Sequence, residues 1–416
     1  MDQSQRQLLT DLAAQWDTPS YVYFLGGILQ RIANLKSAFE GRFEISYAVK
    51  ANPNVALLEY LRPHVATLDI SSIGEAERSL SAGFNASDLT FSGPAKRVVE
   101  LERSVELGIG EMVCESRWEL EQLQQIAKRT GQTVPCFIRI NPARGPRHFR
   151  VNMAGRATQF GIDEEELDST LEQFGEWDQL ELCGFHIYSG TNCLDEQAIA
   201  DNMGVFIELF IRFSEKYELN LKKLIFGAGF GIPYTPDDQP LDLARLAELI
   251  NPQLDEMKRV DRLANVACAL EIGRYIVGPE GYFLTSVINE KRSRGTEIRM
   301  CDAGFNGHLA ACGMMGAVIR RNWPIWKVNS DGSEPTEQYM LTGPLCTTID
   351  LLATKIDLPE LHRGDVLAVG SSGAYGLTAS PTGFISQPVP KEYLVIEDDE
   401  GTQIVNITKT DTAIAT

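Results

Sequence analysis

Eight short apolar, β-branched runs recur along the first two thirds of the chain, and each is followed by a stretch with helical periodicity. The runs are Glu44–Ala51, Val65–Ser72, Leu89–Gly93, Glu111–Cys114, Pro135–Asn141, Leu182–Ser189, Lys223–Gly227 and Ala267–Arg274. Between them, segments such as Val55-Ala56-Leu57-Leu58-Glu59-Tyr60-Leu61 and Trp118-Glu119-Leu120-Glu121-Gln122-Leu123 place apolar residues at three-to-four spacing. Strands this apolar are buried on both faces, and parallel strands need a helix at each crossover. Eight such units predict an α/β fold in the form of a (β/α)8 barrel, whose chemistry belongs at the C-terminal ends of the strands. Lys50, Asp69, Arg139, His186, the glycines Gly227, Gly229 and Gly231, and the pair Glu271 and Arg274 lie near the ends of separate runs.

Beyond residue 278 the texture changes to β-rich segments separated by turn residues: Tyr282–Asn289, Glu297–Cys301, Gln338–Leu341, Asp365–Val369 and Tyr393–Glu397. Asn329-Ser330-Asp331-Gly332-Ser333 and Asp398-Asp399-Glu400-Gly401 read as turns. A chain of 416 residues is long for one compact domain. The division expected is a barrel over 26–278 and a mainly β domain from 1–25 with 279–416, into which Tyr21-Val22-Tyr23-Phe24 pairs as a strand. The tail Thr408–Thr416 reads as frayed.

The formal charge of -19 and the lack of a basic stripe argue against nucleic acid and against an anionic membrane as partners. The eight cysteines form no CxxC pair and no Cys/His cluster, so neither a disulfide framework nor a metal site is expected. The polar start Met-Asp-Gln-Ser-Gln-Arg-Gln opens no signal peptide, and no apolar run approaches membrane-spanning length. A cytoplasmic setting follows as the expectation.

Six segments carry the chemistry: Tyr-Ala-Val-Lys-Ala-Asn at 47–52, Gly-Phe-His-Ile-Tyr-Ser-Gly-Thr at 184–191, Gly-Ala-Gly-Phe-Gly at 227–231, Glu-Ile-Gly-Arg-Tyr at 271–275, Gly-Pro-Leu-Cys-Thr-Thr-Ile-Asp at 343–350 and Gly-Ala-Tyr-Gly at 373–376. In this order they resemble the fold-type III pyridoxal-phosphate enzymes, which include diaminopimelate, ornithine and arginine decarboxylases and alanine racemase. The resemblance implies an alanine-racemase-type barrel with a C-terminal β domain, pyridoxal 5'-phosphate as cofactor, and Lys50 as the amine that holds it as a Schiff base.

Further roles follow from the same resemblance. The loop bearing Gly227, Gly229 and Gly231 is similar to the family's phosphate cradle, with Gly273, Arg274 and Tyr375 as further phosphate contacts. A dinucleotide-binding fingerprint is the rival reading of such a loop, but the spacing is GxGxG and not GxGxxG. His186 resembles the histidine that stacks on the cofactor ring, and Ser189 a nearby contact. Asp69 and Arg139 match positions one layer out. Glu271 resembles the carboxylate set against the pyridine nitrogen, where alanine racemases carry arginine. Glutamate there favours decarboxylation. Cys346 resembles the proton donor to the product, and in the family it and the tyrosine corresponding to Tyr375 reach the site from a neighbouring subunit. The implied assembly is a homodimer with shared active sites.

Departures from the pattern bear on substrate. Diaminopimelate decarboxylases carry glutamate after the cysteine and ornithine decarboxylases carry aspartate, where this chain has Thr347. The arginine that follows Asp-Ala-Gly in the diaminopimelate enzymes is absent, and Asp302-Ala303-Gly304 leads instead to His308, a further candidate. Thr347, Asp350, His308, Arg320 and Arg321 are the residues expected to touch substrate. The segments around His308, Ile319–Pro324, Asn152–Gly155 and Gln159–Ile162 look more like a biosynthetic-cluster subgroup, including the decarboxylase of butirosin biosynthesis that acts on a glutamyl group held on an acyl carrier protein. Arg320 and Arg321 could then meet the carrier arm's phosphate or an acidic carrier surface. The expected function is α-decarboxylation of an amino acid or a carrier-bound aminoacyl group in specialised metabolism. The alternatives are a diaminopimelate or basic amino-acid decarboxylase, and a catalytically silent homologue that binds a partner.

Overall fold

The eight runs become eight parallel strands, each mainly apolar, with the charged side chains they carry gathered toward their two ends. In the computed structural model, which describes residues 3–15, 17–314, 321–330, 333–398 and 401–408, they are β1 (Glu44–Ala48), β2 (Thr67–Ile70), β3 (Leu89–Phe91), β4 (Glu111–Cys114), β5 (Val134–Asn141), β6 (Leu180–Ile187), β7 (Lys223–Gly227) and β8 (Ala267–Ile272). Each pairs in parallel with the next, from β1 to β8, and β8 pairs with β1. The sheet therefore has no open edge, and the expected (β/α)8 barrel is the one observed.

Val113, Phe137, Cys183, Ile225 and Ala269, one from each of β4 to β8, fill part of the interior as a buried cluster. Where β6 passes β7, a Cβ on Gly184 would fall 1.7 Å from the Lys223 carbonyl oxygen, so only glycine lets these strands approach.

The outer helices follow their sequence signals. Ser72 caps Ile73–Ser81 by accepting from the Glu75 amide, Ser116 caps Arg117–Thr130 by accepting from the Glu119 amide, and the latter helix stops at Gly131 in the left-handed region. Helix Glu196–Lys216 buries Met203, Phe206, Phe210 and Phe213 at three-to-four spacing. These rings lie on the strands, with Phe210 meeting Phe226 edge-on at 5.1 Å and stacking on Phe185 at 6.3 Å.

Residues 29–232 with 240–275 form one compact unit that contains the barrel, and 1–28, 233–239 and 276–416 form the other. The second unit is built on a nine-stranded sheet. Ser20–Phe24 lies inside it, antiparallel to Gly281–Ser293 and parallel to Lys391–Asp398. The β-rich segments expected from the sequence are strands, and the pairing of Lys391–Asp398 with Gly401–Asn406 closes on Asp398 and Gly401. Among the described residues of this unit, three strands were not anticipated: Ile325–Lys327, Leu351–Pro359 and Gly401–Asn406. The last two each pair on one side only, as sheet edges do; Leu351–Pro359 carries Lys355 and Asp357 there, and Gly401–Asn406 is largely exposed. Helix Gln3–Gln15 was also unforeseen, and Leu9 and Leu12 on it join Val22, Phe24, Tyr282 and Leu284 in the core of this unit. Thr408 is tied down, its hydroxyl accepting from the Glu392 amide at 2.8 Å, while the tail beyond it lies outside the described residues.

Candidate active site

All eight barrel strands deliver a polar or glycine residue at their C-terminal ends. Lys50 follows β1, Asp69 is the third residue of β2, Ser92 follows β3, Glu115 follows β4, Arg139 lies in β5, His186 in β6, Gly227 ends β7, and Glu271 is the penultimate residue of β8. The lysine amine is the hub. Lys50 Nζ donates to Asp69 Oδ2 at 2.9 Å and to Glu271 Oε1 at 3.1 Å. Its side chain is 36% exposed, while those of Asp69 and Glu271 are 2% and 3% exposed, so the amine is the reachable member of the group.

The two carboxylates are not equivalent. Asp69 is pushed up to about 7 by burial and by the charge of Glu271, with Lys50 and a 2.6 Å bond from Ser92 opposing the rise only in part. Burial acts on Glu271 in the same direction, but Lys50, His186 and Arg139 together outweigh it and hold Glu271 well below the usual carboxylate range. His186 Nε2 stands 2.7 Å from Glu271 Oε2. Burial lowers the imidazole below its ordinary value despite Glu271, so the neutral ring carries its proton on Nε2 and donates it to the carboxylate. Its buried Nδ1 has no hydrogen-bond partner among the described residues.

A further buried pair supports this group. Arg139 Nη1 donates to Glu115 Oε1 at 2.9 Å and Nη2 to the Tyr188 carbonyl oxygen at 3.3 Å. Glu115 also accepts from the amides of Gly93 and Gly161 at 2.7 and 3.1 Å. Burial would raise Glu115, yet Arg139, Lys96 and His186 keep it below its usual range. Sequence reasoning missed Ser92 and Glu115. The signal was there, since each directly follows a barrel strand, but neither belongs to a recognisable motif.

The loop after β7 presents bare backbone of the kind that can receive an anion. Gly229 has φ +64, and a Cβ there would lie 2.5 Å from the Gly190 carbonyl oxygen. Packing keeps the loop bare of side chains on that side. The Ala228 and Gly231 amides are already bonded, to the Glu271 and Cys193 carbonyl oxygens at 3.0 and 2.7 Å, so Gly231 contributes by its lack of a side chain and not by its N–H. Gly273 is pressed against the Lys50 turn, where a Cβ would come within 2.8 Å of Ala51 Cβ. The amine, the ionised carboxylate, the neutral imidazole and the bare loop together fit a pyridoxal phosphate: an aldehyde for Lys50, a ring nitrogen for Glu271 and a phosphate for the loop. Ser189 is fully buried with its hydroxyl donating to Asn202 Oδ1 at 2.7 Å.

The remaining candidates belong to the β-rich unit. Of the eight cysteines only Cys346 is exposed. Thr347 and Tyr375 are half-buried, Tyr375 with φ 54. Two expected substrate contacts need correcting. Asp350 is buried, its two oxygens accepting from the amides of Phe305 and Leu345 at 2.8 and 2.9 Å, so it clamps two loops together. His308 is a core residue: its Nε2 lies 2.9 Å from Ser372 Oγ, its ring packs against Tyr21, Phe283 and Trp323, and burial lowers it to about 3. Arg321 is exposed, and Arg320 lies outside the described residues. Among the described residues no group of side chains could hold a metal ion, and no helix is long and apolar enough to cross a membrane.

Comparison with known proteins agrees with this geometry. Residues 25–278 match the family described as "Pyridoxal-dependent decarboxylase, pyridoxal binding domain". The chain is 31% identical over 397 residues to the L-glutamyl-(BtrI acyl-carrier protein) decarboxylase of Niallia circulans, covering 95% of this chain and 92% of that one. It is 32% identical over 393 residues to the diaminopimelate decarboxylase of Methanothermobacter thermautotrophicus, covering 93% and 89%. Among solved structures, the diaminopimelate decarboxylase from Helicobacter pylori complexed with L-lysine superposes with a TM-score of 0.84 at 27% identity, covering 96% of both chains.

Proposed function

The chain belongs to the pyridoxal-dependent decarboxylases, carboxy-lyases that use pyridoxal 5'-phosphate, and on that premise we propose that it removes the α-carboxylate from an aminoacyl group whose far end carries no free charge. A carrier-protein thioester is the substrate class that suits best. Pyridoxal phosphate, when bound, supplies the ring that accepts the electron pair released as carbon dioxide leaves. Lys50 would hold it covalently. Glu271, kept ionised by Lys50, His186 and Arg139, would keep a proton at its ring nitrogen, and His186, bonded to Glu271, would flank it. The amides of Gly229 and Phe230 would take its phosphate, with Gly273, Arg274 and Tyr375 as further contacts. Asp69 and Arg139 set the charge around Lys50 and Glu271. The exposed Cys346 thiol returns a proton to the product carbon, delivered with Tyr375 by a second copy of the chain, so that a homodimer completes each site.

One observation carries the choice of substrate. The segment Gly343–Ile349 is uncharged, and the carboxylate that ends it, Asp350, is turned inward onto the amides of Phe305 and Leu345. In the neighbouring segment Asp302 accepts from Thr285 at 2.6 Å and from the Ser286 amide at 3.1 Å, and His308 is buried. Neither segment offers a charge to a terminal ammonium or carboxylate. Leaving such a charge unmatched in a closed site costs several kcal/mol, roughly a hundredfold or more in kcat/KM. The relative named for a glutamyl group on an acyl carrier protein points the same way.

Carbon dioxide release tests this. A panel of carrier-bound aminoacyl groups and free diaminopimelate, lysine, ornithine and arginine should be turned over with carrier-bound groups preferred by about a hundredfold or more in kcat/KM. Rapid release from free diaminopimelate would restore the reading suggested by the relatives named for that substrate and overturn this one.

A further inference from the structure

Residues 142–161 contain Arg144, Arg147, His148, Arg150 and Arg156 and not one carboxylate, in a chain whose 57 Asp and Glu outnumber 38 Lys and Arg. The segment leaves the end of β5, just past Arg139, and returns to it as Ile162–Asp163. Its shape is held by the site itself. Val151–Asn152 pairs antiparallel with Gly190–Thr191, which follows His186. The Met153 amide donates to the Ser189 carbonyl oxygen at 2.8 Å and the Gly155 amide to that of Pro142 at 3.0 Å. The Gly161 amide donates to Glu115 Oε2 at 3.1 Å, and Gly155, at φ +68, crosses so near Gly145 that a Cβ would fall 2.1 Å from its nitrogen.

The segment is thus a flap fastened to the ends of β5 and β6 at the mouth of the barrel. Its arginines face solvent. Arg144 meets Glu208 and His148 meets Asp195, exposed pairs that tie down little of the charge. Arg147 and Arg156 have no carboxylate partner among the described residues.

We propose that this flap is the docking surface for an acidic protein that carries the substrate on a flexible arm, an inference that rests on the carrier-bound reading above. A strongly negative enzyme repels an acidic partner over most of its surface. A basic rim at the mouth, on which Arg147 and Arg156 have no carboxylate partner among the described residues, both attracts such a partner and orients it toward Lys50. Arginine suits the task, since its planar fork pairs with carboxylates on the carrier.

The test uses the holoenzyme and the double variant R147E/R156E, with the same aminoacyl group presented on an acidic carrier protein and on free phosphopantetheine. Charge reversal should raise KM for the carrier-bound form about tenfold or more, leave kcat unchanged, and leave the phosphopantetheine form within about twofold. KM of the wild type for the carrier should rise with salt, and that of the variant should not. Retained cofactor absorbance shows that the variant is folded, and R147Q/R156Q should give an intermediate KM. An unchanged KM for the carrier-bound form, or equal losses on both forms, would overturn the docking role. If the wild type decarboxylates free amino acids alone, the failure lies in the carrier-bound reading and is visible before any variant is made.

Discussion

Two lysines, each shared by two carboxylates, stand at opposite ends of the same barrel. At the N-terminal end Lys223, the first residue of β7, lies 2.5 Å from Glu111 and 3.5 Å from Glu44, which begin β4 and β1. At the C-terminal end Lys50 lies between Asp69 and Glu271. Each set is one lysine with two carboxylates; the burial differs. Below, the lysine side chain is 15% exposed, Glu44 remains 48% exposed, and the carboxylates outweigh the burial that would lower Lys223, so it is held above its ordinary value. Above, the carboxylates are sealed in, the amine is the open member, and one carboxylate is forced toward neutrality. A barrel can use one lysine to close its floor and another to do chemistry, and the difference lies in which partner keeps its water.

The largest effect should come from removing the two amines in turn. Lys50→Ala should cost on the order of a thousandfold or more in turnover and abolish the cofactor's visible absorbance, while Lys223→Ala should leave turnover within about twofold; comparable losses would erase the contrast. Glu271→Gln comes next. It should retain cofactor but lose kcat on the order of a hundredfold, because a neutral amide cannot hold the ring nitrogen's proton, as single-turnover kinetics would show.

Thr347→Glu should raise kcat/KM for diaminopimelate about tenfold by restoring a charge for the distal amine, measured by carbon dioxide release. Asp69 gives a smaller effect in stability. Its carboxyl is raised in the folded protein, so its contribution is full below the unfolded value near 3.8 and is lost as pH rises toward about 7. Melting of the cofactor-free protein should therefore fall across that window relative to Asp69→Asn, and parallel curves would show that Asp69 does not titrate there. The smallest effect is that of Lys223→Ala on melting, a loss of about 2 °C.

Much of the barrel was legible because its strands announce themselves twice, as apolar runs and as parts of a repeat. Glu44–Ala51 and Ala267–Arg274 were read a little long because each run continues past the last ladder bond into the turn that bears Lys50 or Arg274. The edge strands Leu351–Pro359 and Gly401–Asn406 were not legible, since one-sided pairing asks little of sequence. Lys50, His186 and Glu271 could be picked out because motif and strand end coincide. Ser92 and Glu115 sit at strand ends without a motif, and only the closed barrel shows that they complete the ring. Asp350 and His308 misled for the opposite reason. A motif position says nothing about burial, and tertiary packing turns both inward.

The most direct test is to treat the purified holoenzyme with borohydride, digest it and map the added mass by peptide sequencing. The cofactor should be found on the peptide bearing Lys50 at the open end of the barrel. Its recovery on Lys223, on any other lysine, or on none would contradict the account.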